Sequence, residues 1–551
     1  DAGAYGETTV TGTGSTLDVA DGALSIGYGG TGVLNIQDSA TVTAETAYIG
    51  YLGTSVGTVN VETGGGLDLS ATGSDLIIGR SSGSQGTLNI DDGLVDVGDD
   101  TALGNLAGSA GTIEITSASG QFETRDLFVG DGGTGVLNVT DGSVTVTSSM
   151  AVGEAFSGNG TVVNDGGTID VGLGLVVGNF GNGGVTIQNS GILVVADETF
   201  LGANTGSVGS LTIDNADLTA DNIRVGDAGT GTLNAQAGAT LTAEDVILGN
   251  DSTGSGTLNV TGTSTSLDVN IELNVGLDGT GTVTVEDGGN ISVTDDIFLG
   301  YSATGNGTVT IDGAGSAIDT GAATEIGRAG TGRLTVQAGG SMSGVDSYIG
   351  RWSGSTGTVT VTGAGSSWTN TSDLYVGESG TGTLTIAGGG AVTSAVGYIG
   401  YDIGADGTAT VTGAGSSWAN TSVLYIGEDG NATLTISDNG TVSAAGGVEI
   451  ASSDGSGVLN IGAGYGDAAA GAGTLDAATV SFGSGDGTLV FNHTDTAYDF
   501  DADMSGDGTI LHEAGETVLG GDSSGFSGTT DVSGGTLYVN GTLAGTVNIS
   551  G

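Results

Sequence analysis

A glycine that directly follows an aliphatic residue recurs about every 25 residues between Gly27 and Gly427. Residues 360–377 (TVTGAGSSWTNTSDLYVG) return at 410–427 as TVTGAGSSWANTSVLYIG. A fixed period of this kind is typical of repeat architectures, in which each unit packs only on its neighbours. Near the C-terminal end the spacing of these anchor glycines alternates between 27 and 23 residues, at Gly300, Gly327, Gly350, Gly377, Gly400 and Gly427.

Each repeat contains three short segments in which apolar and polar residues alternate, with glycine-rich turns between them. Residues 381–400 (TGTLTIAGGGAVTSAVGYIG) read TLTI, AVTS and GYIG in this order. In a strand, alternation places Leu384 and Ile386 on one face and Thr385 on the other. The same apolar–polar–apolar triplet recurs at Leu34–Asn35–Ile36, Leu88–Asn89–Ile90, Leu137–Asn138–Val139, Val309–Thr310–Ile311 and Leu434–Thr435–Ile436.

Three strands in so few residues leave no room for hairpins, but they fit one coil of a parallel solenoid. Each strand then pairs with its equivalent one coil later, which gives aliphatic columns inside and Asn or Thr ladders outside. The anchor glycines close the corners of the coil because glycine takes a positive φ without steric cost. No stretch has apolar residues at helical spacing. We therefore predict an all-β fold, a parallel β-helix (β-solenoid) with about 25 residues per coil.

The regularity of the array changes towards the C-terminus. Residues 1–480 read as a solenoid repeat array, although after Gly427 the anchor pattern weakens and Ala451 stands where glycine is expected. Residues 481–551 are richer in aromatic residues at their start and contain both histidines of the chain. Because terminal units of solenoids must cover an open end, we predict that 481–551 are divergent C-terminal coils or a cap.

The charge of the chain limits its partners. It carries 63 acidic residues against six arginines, with no lysine and no cysteine, and its formal net charge is −57. This negative field repels phosphate, so we expect no nucleic-acid partner. It favours divalent cations, and the absence of cysteine excludes disulfides and thiol chemistry. No run of 18 apolar residues occurs, so we expect no membrane-spanning segment.

The repeats also resemble those of a known family. GTGTLTIAGGGAVTSAVGYIGY and TVTGAGSSWTNTSDLYVGESGTGTLTI are similar to the repeats of bacterial autotransporter (type V secretion) passenger domains. The final GFSGTTDVSGGTLYVNGTLAGTVNI resembles the passenger-associated transport repeat of that family. The resemblance extends over nearly all of the chain. It implies a right-handed parallel β-helix exported to the cell surface, often as an adhesin or a surface filament.

An aromatic face is the first candidate site. The residue two positions before the anchor glycine should point outward, and it is tyrosine in four successive coils. Exposed rows of aromatic rings suit sugar binding, whereas a purely structural stacking ladder is the alternative. All three tryptophans lie in the same coils. The candidate glycan-binding residues are Tyr348, Trp352, Trp368, Tyr375, Tyr398, Trp418 and Tyr425.

Acidic residues in the glycine-rich corners are the second candidate site. Calcium prefers several oxygen ligands, including backbone carbonyls, and these turns offer both kinds. The tandem nonapeptide of calcium β-rolls is absent, so solvated acidic corners are the alternative. The candidate calcium ligands are Asp131, Asp227, Asp278, Glu378 and Asp429.

Two arginines occupy equivalent positions in neighbouring coils. Arg328 and Arg351 follow anchor glycines, and Glu378 holds the same place in the next coil. We expect an Arg351–Glu378 ion pair, with contact to a small anion or an acidic sugar as the alternative.

A third array consists of outward T-x-T pairs. Stacked in register they would form a flat threonine surface like that of ice-binding solenoids, or they reflect only the strand propensity of threonine. Arg333 interrupts the column beside Thr335. The pairs are Thr282/Thr284, Thr308/Thr310, Thr358/Thr360, Thr383/Thr385, Thr408/Thr410 and Thr433/Thr435.

These features favour a structural or adhesive role over catalysis. The chain lacks lysine, and no catalytic triad or metal-binding histidine spacing occurs, so we expect no enzyme activity. We expect no required cofactor, with calcium as an optional ligand. We predict a secreted, surface-displayed adhesive rod that binds cell-surface glycans or proteins, or itself head to tail in a filament. The alternative is a glycan-binding or polysaccharide-degrading solenoid that works through the aromatic face at 348–425.

Overall fold

The computed structural model describes residues 3–550, without the side chains of residues 20 and 21. Residues 3–550 contain strands and turns and no helix. The chain divides into two compact units, Asp1–Asn270 and Ile271–Gly551. Within each unit the strands stack in parallel, one coil on the next, so the prediction of an all-β parallel solenoid is confirmed.

In the first unit each coil contributes one strand of six or seven residues, here called its long strand, to a first sheet, and one or two further strands, most of them shorter, to a second sheet. The first sheet contains Tyr5–Thr11, Thr31–Gln37, Val56–Glu62, Gln85–Asp91, Ala110–Ile115, Thr134–Thr140, Asn159–Asp165, Asn182–Gln188, Val208–Asp214, Thr230–Gln236 and Ser255–Thr261. The second sheet contains Thr16–Ile26, Thr41–Ile49, Gly66–Leu69, Leu76–Ile78, Leu94–Val97, Asp100–Leu103, Gln121–Thr124, Asp126–Val129, Ser143–Val146, Met150–Val152, Thr168–Val171, Leu175–Val177, Ile192–Leu201, Asp217–Val225, Thr240–Ala243, Asp245–Leu248 and Ser266–Val269.

The second unit follows the same plan and ends in two small additional sheets. Its long strands are Thr280–Glu286, Asn306–Asp312, Thr331–Gln337, Thr356–Thr362, Thr381–Ala387, Asp406–Thr412, Asn431–Ser437, Ser456–Gly462, Asp486–Asn492, Thr509–Ala514, Thr529–Val532 and Thr546–Ile549. Its shorter strands are Leu273–Val275, Asn290–Val293, Ile297–Leu299, Ala317–Thr320, Thr324–Ile326, Ser341–Gly344, Ser347–Ile349, Ser367–Asn370, Leu374–Val376, Ala391–Ser394, Gly397–Ile399, Ser417–Asn420, Leu424–Ile426, Thr441–Ala444, Val448–Ile450, Thr474–Ala477, Thr479–Phe482, Asp503–Gly506 and Gly525–Phe526. The small sheets contain Tyr498–Phe500, Glu516–Leu519 and Thr536–Val539, and Asp522–Ser523 and Thr542–Leu543.

The register of the long strands follows the repeat. Thr381–Ala387 pairs with Thr356–Thr362 so that each threonine meets the residue 25 positions earlier, as in Thr360 beside Thr385. Leu384 and Ile386 point inward and are 0% exposed, as their alternation predicts. Stacked aliphatic columns of this kind form the core, and the hydrophobic effect of their burial holds the coils together.

The anchor glycines adopt the conformation that the sequence requires. Gly350 has a φ of 70°, and a Cβ built on it would lie 2.2 Å from the carbonyl oxygen of Thr381 in the next coil. A larger residue there must therefore shift the backbone. Ala451 takes the anchor position with a φ of 50°, so the corner survives one departure from glycine. The proposed boundary at residue 480 stays a prediction.

Candidate functional site

Four tyrosines line one corner of the second unit, each two positions before an anchor glycine. Tyr348, Tyr375, Tyr398 and Tyr425 are in register on successive coils. Their ring centroids are 5.0, 4.7 and 5.0 Å apart, with interplanar angles of 10°, 6° and 5°. We call these four residues the tyrosine ladder. Because neighbouring rings cover each other's faces, the ladder presents mainly ring edges and hydroxyls to a ligand.

A fifth tyrosine closes the side of this ladder. Tyr401, one position after an anchor glycine, packs edge-on against Tyr375 and Tyr398, with centroids 5.2 and 5.1 Å away. Burial raises the pKa of Tyr375, and it raises the pKa of Tyr398 to about 12. These phenols therefore keep their protons at neutral pH and can donate hydrogen bonds.

A buried glutamate continues the same column below the ladder. Glu325 is in register with Tyr348 and is 3% exposed. It forms ion pairs with Arg328, at 3.4 Å, and with Arg351. Arg351 also pairs with Glu378 at 3.4 Å, so the expected Arg351–Glu378 contact is present. Sequence reasoning missed Glu325, although its place two positions before Gly327 was the available signal.

The two arginines are also fixed by aromatic rings. The guanidinium of Arg328 lies 4.0 Å from the ring centroid of Tyr301 and 5.0 Å from that of Trp352. Arg351 lies 4.2 Å from the centroid of Tyr348. Such cation–π contacts restrict the position of each guanidinium group. Arg328 and Arg351 are therefore engaged by the rings and carboxylates of this corner rather than free to bind an anion.

Burial controls the charge of this cluster. It raises the pKa of Glu325, and it raises that of Glu378 to about 7 against the opposing effect of Arg351. With both carboxylates ionised, the two acids balance Arg328 and Arg351. Protonation of Glu378 near neutral pH gives the cluster one net positive charge.

Two of the three tryptophans do not belong to the aromatic face. Trp368 and Trp418 are 0% exposed and point into the core, so the expectation that they line a glycan-binding surface is wrong. Trp368 occupies the column of Met342 and Val392, which is an inward position on these strands. Trp352, at the tip of a turn, is 50% exposed and remains available.

The candidate calcium ligands lie one or two positions after anchor glycines, each in a different coil. Asp131 accepts a hydrogen bond from Asn105 at 2.7 Å, and Asp227 accepts one from Asn250 at 2.7 Å. Burial raises the pKa of both aspartates. Asp278 and Asp429 are half-exposed. Among residues 3–550 no three acidic or histidine side chains form a group suited to a metal ion, and calcium binding stays a prediction.

The outward columns of the long strands differ between the units. In the first unit, Asn60 Nδ2 donates to Asn35 Oδ1 at 2.7 Å, and Asn89 Nδ2 donates to Asn60 Oδ1 at 2.7 Å. These asparagines therefore form a hydrogen-bonded ladder. In the second unit the T-x-T pairs of successive strands are in register, as expected, and Arg333 interrupts one column.

Both histidines are buried near the C-terminal end. His512 Nδ1 donates to the carbonyl of Gly534 at 2.8 Å, and its Nε2 accepts from the Thr517 hydroxyl at 3.1 Å. The Thr517 oxygen in turn accepts from His493 Nε2 at 2.8 Å, which leaves His493 Nδ1 without a partner. Burial lowers the pKa of both rings, so each is neutral at pH 7.

Sequence comparisons support the resemblance over short stretches. No family model matches the chain. The chain is 42% identical over 71 residues, 13% of its length, to the adhesin BmaC autotransporter of Brucella suis biovar 1 (strain 1330). It is 46% identical over 90 residues, 15% of its length, to the uncharacterized lipoprotein YdeK of Escherichia coli (strain K12). These matches span 2% and 7% of the two relatives.

Among solved structures, a TibC-catalysed hyper-glycosylated TibA fragment aligns over 99% of this chain and 100% of its own, at 14% identity and a TM-score of 0.20. A TM-score this low carries no structural argument. The fold itself is that of a parallel β-solenoid repeat protein. The stretch shared with an autotransporter adhesin confirms the resemblance to autotransporter passenger domains. Among residues 3–550 there is no helix with the length and apolar character needed for a membrane span.

Proposed function

We propose that the chain is a non-enzymatic, surface-displayed or secreted β-solenoid that mediates adhesion. The observation that carries this proposal is the similarity of one stretch of its repeats to an autotransporter adhesin. An array of repeated coils offers many similar contacts to another surface, and multivalency turns weak single contacts into firm attachment. Its partners are proteins or glycans of a neighbouring cell.

A non-enzymatic role agrees with the chemistry of the side chains. His493 and His512, the two histidines of the chain, are 0% exposed and cannot reach a substrate. Arg328 and Arg351 are held by carboxylates and aromatic rings. A catalytic group must lie within hydrogen-bonding reach of the proton that it transfers.

Cell attachment of the purified chain tests the adhesive function. Beads coated with the chain should retain bacterial or epithelial cells, and beads coated with an equally acidic unrelated protein should not. Treatment of the cells with protease should abolish retention if the partner is a protein, and treatment with glycosidases should abolish it if the partner is a glycan. Equal retention on both kinds of bead would contradict the proposal.

A glycan contact at the corner of the second unit is the second candidate. Trp352 is 50% exposed and offers a ring to a sugar. Its ring contacts Arg328, which shares Glu325 with Arg351, the partner of Tyr348. The stacked ladder contributes hydroxyls and edges. On a glycan array, Trp352→Ala should remove hits that the buried-site variant Trp418→Phe retains. No hits, or hits that Trp352→Ala leaves unchanged, would exclude this candidate.

Head-to-tail assembly into filaments extends the adhesive proposal. Stacked parallel coils present unpaired backbone groups at an open end, and such edges can pair with another chain. Electron microscopy and light scattering of the purified chain at high protein and salt concentration should reveal filaments. A monodisperse monomer under these conditions would contradict assembly.

A further inference from the structure

Three adjacent long strands of the second unit carry a regular array of threonines on their outer side. Thr356–Thr362, Thr381–Ala387 and Asp406–Thr412 pair in parallel without a register shift. Rows are therefore about 4.8 Å apart, and threonines two positions apart along a strand are separated by about 6.6 Å. We call this array the threonine face: Thr358, Thr360, Thr383, Thr385, Thr408 and Thr410.

The hydroxyls of the threonine face are free for an outside partner. Within the described part of the chain, none of the six makes a side-chain hydrogen bond, and all are half-exposed or exposed. The next strand continues the array at Thr433, whereas Thr435 accepts a hydrogen bond from Asn460. The asparagine ladder of the first unit differs because Asn60 Nδ2 donates to Asn35 Oδ1.

The threonine face is also rigid and free of charge. The residues between the threonines, including Val359 and Leu384, are 0% exposed, so the array rests on a packed core. The chain has 63 acidic residues among 551, yet none occupies these six positions. On one side the array ends at Arg333, the register partner of Thr358 on the preceding strand. The six positions are neutral on a chain of net charge −57, and the charged residues Asp406 and Arg333 border them.

We propose that the threonine face binds the surface of ice crystals. Ice presents neutral water oxygens at fixed repeats in two directions, of the same order as the spacings of this array. Each threonine offers a hydroxyl that donates and accepts hydrogen bonds and a methyl group that displaces poorly ordered water. A charged residue would have to lose its hydration at such an interface.

The rigidity of the array makes this binding favourable. A single hydroxyl–water contact is weak, but six held on one packed sheet engage the crystal together with little loss of side-chain entropy. The inference concerns the outer side of one sheet and does not depend on the adhesive function proposed above. It goes beyond that function by assigning a crystalline, inorganic ligand to a defined surface.

Inhibition of ice recrystallisation by the purified full-length chain tests the proposal. Thr385→Lys places a charge at the centre of the array, and Thr385→Val keeps the shape but removes the hydroxyl. The matched control is Thr186→Lys, an outward threonine of the first unit between Val163 and Thr212. Circular dichroism melting verifies that each variant folds.

The wild-type chain and Thr186→Lys should inhibit recrystallisation equally and should shape growing ice crystals. Thr385→Lys should need about tenfold more protein for the same effect, because one misfit breaks the cooperative contact. Thr385→Val should fall between these limits. An inactive wild-type chain, or an equal loss in Thr186→Lys and Thr385→Lys, would overturn the proposal.

Discussion

The outward columns of the two units carry different chemistry on the same coil. In the first unit Asn35, Asn60 and Asn89 hydrogen-bond to one another along the stack. In the second unit Thr360 and Thr385 leave their hydroxyls to solvent. Both rest on inward aliphatic columns that are 0% exposed. The inward residues and the anchor glycines therefore determine the coil, whereas the outward residues can vary to stabilise it or to bind a partner.

The largest effect should come from an anchor glycine, which both units share. Gly350→Val places side-chain atoms against the Thr381 carbonyl, 2.2 Å from the Cβ position, at a φ of 70°. We expect a loss of about 3–5 kcal/mol of stability in the coils around it. Hydrogen exchange of the neighbouring strands measures this loss. Ala451→Gly should change stability by less than about 1 kcal/mol, and equal effects of the two variants would contradict this account of the corners.

Tryptophans inside and outside the coil should differ almost as strongly. Trp418→Ala removes a fully buried ring whose Nε1 donates to Ser394 Oγ at 3.2 Å, so it should cost about 3–5 kcal/mol. Trp352→Ala removes a half-exposed ring and should cost about 1 kcal/mol or less. Thermal melting compares the two variants. Similar melting temperatures would mean that the inward and outward assignments are wrong.

Acid should weaken the C-terminal coils before the regular ones. The folded-state pKa values of His493 and His512 are lowered by burial, so the unfolded chain binds more protons below about pH 6.5. Stability from the neutral rings is complete above that pH and falls as the pH drops, by up to about 1.4 kcal/mol per pH unit for each ring. Hydrogen exchange at pH 7 and pH 5 should show this loss near Thr517, and His493→Gln should reduce it.

The asparagine ladder and the threonine face should respond differently to the same truncation. Asn60→Ala breaks two side-chain hydrogen bonds and should cost about 1–2 kcal/mol. Thr385→Ala breaks none and should cost about 0.5 kcal/mol through strand propensity. Chemical denaturation of both variants measures the difference. A larger loss for Thr385→Ala would reverse the comparison between the units.

The smallest effect concerns the charge of the corner in the second unit. Because the pKa of Glu378 is raised to about 7, the folded state holds a proton that the unfolded chain releases above its lower, ordinary pKa. Stability should therefore rise as the pH falls through 7, by less than about 1.4 kcal/mol per unit since the side chain is partly exposed. Glu378→Gln should remove this dependence in melts between pH 6 and 8, and a wild-type stability that falls as the pH is lowered from 8 to 6 would contradict the sign.

Much of this architecture follows from the period and the alternation of the chain. The anchor glycines predict the corners, and the alternation of side chains along each strand predicts that Tyr348 and Tyr375 face outward. The same alternation places Trp368 inward, because it shares a column with the buried Val392. The prediction placed it outward because it gave more weight to its aromatic character than to its position. Glu325 was missed because its partners Arg328 and Arg351 can be recognised only once neighbouring coils are stacked. Hydrogen-bonding freedom at Thr385 likewise depends on neighbours 25 residues away.

A pair of introduced cysteines tests the stacking most directly, because the native chain contains none. Thr360 and Thr385 are register partners on adjacent strands, about 4.8 Å apart, which suits a disulfide. Thr360 and Thr410 are two coils apart, at about 9.6 Å, which is too far. Under mild oxidation the 360/385 double-cysteine variant should form an intramolecular disulfide and the 360/410 variant should not. Cross-linking of both pairs, or of neither, would contradict the parallel solenoid.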